Sequence, residues 1–124
     1  MLQKYNPKNK DIQVWVGDRL YHRNEAKVSV FDSTVQGGDA VWEGLRLYKE
    51  GVLHLDQHLD RLYASAKALA FEHVPTRKFV KDAIKQTLEA NKMTEDTLMR
   101  LTLSRGEKVT SGMDPRLNQK GSCL

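Results

Sequence analysis

Residues Gly37 to Tyr48 read GGDAVWEGLRLY. The run opens on two glycines, which permit backbone angles that other residues avoid and let another group come close. Asp39 follows, then the apolar pair Val41 and Trp42. Glu43-Gly44 reads as the end of the turn, leading into the alternating run Leu45-Arg46-Leu47-Tyr48. A glycine turn, a large aromatic, an acid and an arginine within so short a stretch exceed what a structural turn needs. In an alternating strand Leu45 and Leu47 share one face, and Arg46 and Tyr48 share the other. Arg46 then serves either polar active-site chemistry or a solvated sheet surface. A second arginine, Arg61, lies near the start of a helical pattern and off its apolar stripe. It can present its donor fork to a phosphate or stand exposed on the helix.

Other chemistries find little support. His22, His54, His58 and His73 lack metal-ligand spacing, and no cysteine pair accompanies them. The glycine run lacks the spacing of a Walker or dinucleotide loop. The formal charge is +4, from 20 basic and 16 acidic residues. Those charges are interspersed rather than clustered, which predicts a solvated surface and no nucleic-acid partner.

The elements that must position these residues read in order. Residues 1–11 form a polar, flexible lead. Ile12 to Val16 and Arg19 to His22 read as a hairpin turned by Gly17-Asp18. Ala26 to Phe31 reads as a third strand ending in an Asp32-Ser33 turn. Leu45 to Tyr48 and Val52 to Leu55 flank Lys49-Glu50-Gly51 as a second hairpin. Asp56 is the expected N-cap of a helix over 57–70. Thr76 is the expected N-cap of a second helix over about 77–90, which Asn91 can close. Helical spacing predicts that Leu59, Leu62, Leu69, Phe79, Val80, Ile84 and Leu88 are buried. Thr97 to Ser104 alternates as a last strand, with Arg100 opposite the core side. Residues 107–122 are polar and loop-like. The short, hairpin-linked strands predict an α+β fold: a mostly antiparallel sheet with helices on one face. The expected division is a lead at 1–11, one domain at 12–106 and a connecting loop at 107–124.

The chain has 124 residues, 40% of them hydrophobic, enough for one domain with a core. No apolar run reaches the roughly 20 residues of a membrane span, and the amino terminus lacks a signal-peptide core. Cys123 is the sole cysteine. A reduced, cytoplasmic location and no membrane partner are expected.

The stretch at 37–48 resembles the class IV aminotransferases, the pyridoxal-phosphate enzymes of the branched-chain and D-amino-acid aminotransferase type, together with aminodeoxychorismate lyase. Val28-Ser29-Val30-Phe31-Asp32 is similar to the family's strand before the turn. His58-Leu59-Asp60-Arg61-Leu62 with Ser65-Ala66-Lys67-Ala68-Leu69 is similar to its next helix. Met99-Arg100-Leu101-Thr102-Leu103-Ser104-Arg105-Gly106 is similar to its later strand and turn. The four motifs stand in the family's order. The resemblance implies transfer of an amino group between an amino acid and a 2-oxo acid, with pyridoxal 5'-phosphate as cofactor. A branched-chain-type enzyme is the main implication. Aminodeoxychorismate lyase, D-amino-acid aminotransferase or a non-catalytic partner-binding module are the alternatives.

By the same resemblance Arg61 binds the cofactor phosphate. Gly37, Trp42, Gly44 and Arg46 line the substrate pocket, and Arg100 or Arg105 meets a substrate carboxylate or forms a structural ion pair. Trp42 stands where branched-chain enzymes usually carry phenylalanine, and Leu98 where a tyrosine is frequent. The family's Schiff-base lysine belongs to a second domain. The resemblance therefore implies that this chain is the first domain only, inactive alone, with a missing C-terminal domain and a second copy of itself as partners.

Overall fold

Residues 2–124 are described by a computed structural model. Strands β1 (Gln13–Val16) and β2 (Arg19–His22) form an antiparallel hairpin. Gly17 supplies the left-handed backbone its turn requires, with φ at 72°. A short helix α1 (Ser33–Gly37) precedes the long strand β3 (Ala40–Tyr48). β3 pairs antiparallel with the two-residue β4 (Gly51–Val52) and, along nearly its whole length, with β5 (Thr97–Ser104). Helices α2 (Leu55–Ala68) and α3 (Arg77–Ala90) lie between β4 and β5 in the chain. The fold is α+β with antiparallel strands, as expected. Among the described residues it holds two sheets, ordered β1-β2 and β4-β3-β5, rather than one.

β3 decides where the core sits. Val41, Glu43, Leu45 and Leu47 face inward and are buried, while Trp42, Gly44, Arg46 and Tyr48 are exposed. Glu43-Gly44 therefore lies inside the strand and does not end a turn. Leu101 and Leu103 of β5 extend this inner face, and Leu59, Leu62 and Ala66 of α2 with Val80 and Ile84 of α3 complete the same core cluster. β4 is shorter than the expected strand because Leu55 already begins α2.

Local hydrogen bonds explain the other departures. Ala26 to Phe31 forms no strand. Ser29 accepts from the Asp32 N–H through its carbonyl (3.0 Å) and from the Phe31 N–H through its hydroxyl (3.0 Å). Short polar side chains offer such alternatives to a ladder, and Val28, Val30 and Phe31 remain exposed. Asp32 caps α1, accepting from the Thr34 N–H at 2.8 Å. His54, with φ at 51° and no side-chain cap bond, precedes α2 in place of Asp56. Asp56 instead sits in the first turn, where an acid suits the helix dipole, and accepts from Lys81 of α3 at 2.8 Å. Thr76 caps α3 as expected, accepting from the Phe79 N–H at 3.1 Å.

Both helices close in the same way. Ala70 and Lys92 take left-handed backbones, and the next residues, Phe71 and Met93, donate back to Ala66 and Leu88. That reversal turns Leu69 outward and buries Phe71 in its place. Phe79 is also partly exposed, its ring edge-on to Trp15 at 5.9 Å. Leu88, near the end of α3, packs against the core but is only partly buried. Asn91 ends α3 and clamps β1, with its side chain donating to Gln13 O (2.9 Å) and accepting from Gln13 N (2.7 Å).

Leu62 is 1% exposed at the centre of this packing. Leu62→Ala is expected to lower unfolding free energy by about 2–5 kcal/mol, read from the denaturant midpoint. An unchanged midpoint would show that α2 does not pack as described.

Candidate functional site

Strand alternation sends consecutive residues of β3 to opposite sides of the sheet, and chemistry collects on both. On the inner side Glu43 is an acid in a row otherwise apolar. Its carboxylate accepts from Arg61 Nε at 2.5 Å and from Arg61 NH2 at 2.6 Å, the two-bond fork an arginine offers a carboxylate. His58 Nδ1 lies 3.0 Å from the same carboxylate. His58 and Arg61 are three apart on α2, hence on one face of the helix. The Glu43 side chain is 4% exposed, that of Arg61 68%. The acid is thus sealed beneath the sheet while the guanidinium reaches solvent. Hydrogen bonds from Arg61 hold the Glu43 carboxyl down at about 2 against the opposing effect of burial, and His58 helps.

On the outer side the register sets Gly44 opposite Arg100, Trp42 opposite Thr102 and Arg46 opposite Leu98. The Arg100 guanidinium lies 4.2 Å from the Trp42 ring centroid, a cation–π contact. A Cβ on Gly44 would meet the Trp42 ring at 3.8 Å, an ordinary contact. Arg46 donates to Asp96 at 2.6 Å.

Arg105 stands apart, at the end of β5. Its Nε donates to Asp39 at 2.5 Å, its NH2 to the Leu69 carbonyl at 2.7 Å, and its guanidinium lies 4.7 Å from the Phe71 ring. Gly37 ends α1 and is exposed, and a Cβ there would approach Met113 Cε to 3.1 Å. A buried polar network fixes this end of the sheet. Ser104 Oγ donates to Asp32 (2.9 Å), and Ser33 Oγ donates to the Gly106 carbonyl (2.9 Å). Gly106 has φ at 111°, and a Cβ would fall 1.9 Å from the Gly121 oxygen, so no other residue fits.

Trp42, Gly44, Arg46 and Arg100 therefore share one sheet face. Arg61 projects from the helical side, and Gly37 and Arg105 flank the start of β3. Sequence reasoning missed Glu43 and His58. The available signal was an acid in register with Val41, Leu45 and Leu47, since an inward acid on an apolar face needs a cationic partner.

Comparison with known proteins adds the following. Residues 40–120 match the family model described as amino-transferase class IV. The chain is 58% identical over 118 residues to branched-chain-amino-acid aminotransferase-like protein 1 of Arabidopsis thaliana, covering 95% of this chain and 21% of that protein. It is 37% identical to a putative branched-chain-amino-acid aminotransferase of Methanocaldococcus jannaschii, covering 85% of this chain and 36% of that one. The branched-chain aminotransferase of the thermophilic archaeon Thermoproteus uzoniensis, solved with norvaline, superposes with a TM-score of 0.73 at 27% identity, over 91% of this chain and 38% of that chain. The chain thus spans about a fifth of the length of the Arabidopsis relative and under two fifths of the other two.

The depressed Glu43 carboxyl makes stability depend on pH in a fixed direction. Its ordinary value is 4.5 and its folded value about 2. The contribution is present above about 4.5 and is lost as pH falls toward about 2. Denaturant unfolding at a series of pH values is expected to show wild type losing stability across that window more steeply than Glu43→Gln. Parallel curves would remove the Glu43–Arg61 pair from the folded state.

Proposed function

Because the chain belongs to the amino-transferase class IV family, we propose that it contributes one domain's share of a pyridoxal-phosphate enzyme of the branched-chain aminotransferase type. The reaction proposed is transfer of an amino group from an amino acid to a 2-oxo acid. The names borne by the Arabidopsis and Methanocaldococcus relatives support the branched-chain reading. The observation that carries the site is an exposed guanidinium held in place by a buried carboxylate.

The donor set fits the cofactor's phosphate. Two N–H groups of Arg61 go to Glu43, and the rest of the fork faces outward from a side chain that is mostly exposed. Pyridoxal phosphate, when bound, supplies the electron sink for the amino-group chemistry, and the protein supplies position and electrostatics. Arg61 anchors the phosphate. On the outer sheet face Trp42 and Gly44 form an apolar wall for the substrate side chain. Among the described residues Arg46 and Arg105 are already ion-paired, to Asp96 and Asp39, whereas Arg100 forms no ion pair. Arg100 is therefore the arginine best placed to receive a substrate carboxylate. Arg46 flanks the wall, Gly37 lies at its approach, and Arg105 braces the fold beside it.

A second copy of the chain is the proposed partner, supported by the exposed apolar residues Val28, Val30, Phe31 and Val35. No helix among the described residues is long and apolar enough to cross a membrane. The sole cysteine, Cys123, supports a cytoplasmic location.

Titration of the chain with pyridoxal phosphate, followed by absorbance, is expected to rank affinity as wild type, then Arg61→Lys, then Arg61→Ala. Lysine keeps the charge and loses the fork. Removing the charge-assisted bonds altogether is expected to weaken binding about tenfold or more. Equal affinity in wild type and Arg61→Ala would take Arg61 out of the site.

The 124-residue chain by itself is proposed to be inactive. A covalently reactive lysine needs an amine deprotonated by its surroundings. Lys108 is the buried lysine among those described, and its Nζ donates to the Gly112 carbonyl at 2.5 Å. Lys78, Lys81 and Lys120 are paired with acids on exposed surfaces. Incubation with cofactor, an amino acid and a 2-oxo acid is expected to give no turnover, and borohydride no stoichiometric label on any one lysine. One labelled lysine together with turnover would make this a complete small enzyme.

A further inference from the structure

We propose that Glu43, braced by His58, is a positioning residue that sets the orientation of the Arg61 fork toward the cofactor phosphate. The inference rests on the reading of Arg61 as the phosphate clamp and assigns a role to two residues outside that clamp. The neighbours of Glu43 on the inner face of β3 are Val41, Leu45 and Leu47, all apolar. A carboxylate there is desolvated and must be fully bonded. It is bonded by Arg61 through two N–H groups and by His58 through Nδ1. Arginine is long and rotamer-rich, and at 68% exposure nothing else described holds its tip. Two parallel bonds to a rigid strand fix the plane of the guanidinium, so the remaining N–H groups point in one direction. β3 in turn carries Trp42 and Gly44 on the other face, so one strand locates both the clamp and the substrate wall.

Two effects of Glu43 on an anion oppose one another, and their balance can be measured. Its negative charge, next to Arg61, weakens anion binding through simple electrostatics. Its hold on the fork strengthens phosphate binding by preorganisation. If charge dominates, Glu43→Gln tightens phosphate binding; if positioning dominates, the same change weakens it.

The test uses the 124-residue chain with two probes, pyridoxal 5'-phosphate and pyridoxal, which lacks the phosphate. Glu43→Gln is expected to weaken binding of the phosphorylated probe by at least about two- to threefold, the low end for groups coupled in one network. Binding of pyridoxal is expected to stay unchanged, which a general loss of structure would not allow. In an Arg61→Ala background the Glu43→Gln change is expected to have no further effect, because Glu43 acts through Arg61. Wild-type affinity or tighter binding in Glu43→Gln, with Arg61→Ala still weakened, overturns the positioning role and leaves the clamp standing. Equal binding by wild type and Arg61→Ala, or no phosphate-dependent binding by wild type, overturns the clamp and this inference with it. A second measurement avoids the variants altogether. The Arg61 Nε–H resonance of the wild-type chain is expected to be resolved and slow to exchange at neutral pH. A solvent-averaged resonance would overturn the fixed fork.

Discussion

The period-two alternation of β3 is the constraint on which the other features depend. Because successive residues must point to opposite sides, Val41 and Leu45 join residues of α2 and α3 in one core, while Trp42, Arg46 and Tyr48 face outward. β5 repeats the division, with Leu101 and Leu103 inside and Leu98 and Arg100 outside. Antiparallel pairing then brings Gly44 opposite Arg100 and lets a cation lie on the Trp42 ring. A slip of one residue in this register would bury Arg46 and expose Leu45, and the helices would lose the surface they pack on.

Glu43 is the exception within that pattern, and stability alone does not account for it. Burying an ion pair removes both groups from water, and apolar residues of similar size often serve stability equally well or better. Here the desolvation falls mainly on one partner. The carboxylate is sealed under the strand, while most of the Arg61 side chain remains in solvent. That asymmetry supports the proposed positioning role of Glu43. A symmetrical internal pair would have hidden the guanidinium as well.

Much of this is legible in the sequence where one rule acts alone. The Thr97 to Ser104 strand, the Thr76 cap and the two faces of Leu45 to Tyr48 all follow from period and capping chemistry. The Ala26 to Phe31 segment misleads because its β-branched residues suggest a strand while Ser29 and Asp32 offer local bonds. Leu69 matches the helical spacing, but the left-handed Ala70 reverses the chain and gives the buried position to Phe71. The start of α2 is displaced because the left-handed His54 leads into the helix at Leu55, leaving Asp56 in the first turn, where it pairs with Lys81. The candidate arginines can be named from motifs, but their partners cannot. Asp96 lies 50 residues from Arg46 and Asp39 lies 66 from Arg105, and no local pattern encodes such pairings.

Those partners separate arginines that look alike in the sequence. Arg105 ties the approach to β3 through Asp39 and satisfies carbonyls at the end of α2, so drawing it toward a ligand would uncap that helix. Arg46 is engaged with Asp96 in a pair exposed to solvent, where such contacts contribute about 0–1 kcal/mol. Arg61 is bound to a buried acid that would be left uncompensated if the arginine moved, so it can offer only its outward N–H groups. Arg100 rests on an aromatic face, a contact worth roughly 0.5–1 kcal/mol at an exposed site. A carboxylate arriving beside Trp42 would find in Arg100 a cation whose present interaction is weak and can persist when the carboxylate binds. The strength of each existing contact, more than proximity to the glycine turn, therefore separates the arginines tied into the fold from the one proposed to receive a substrate carboxylate.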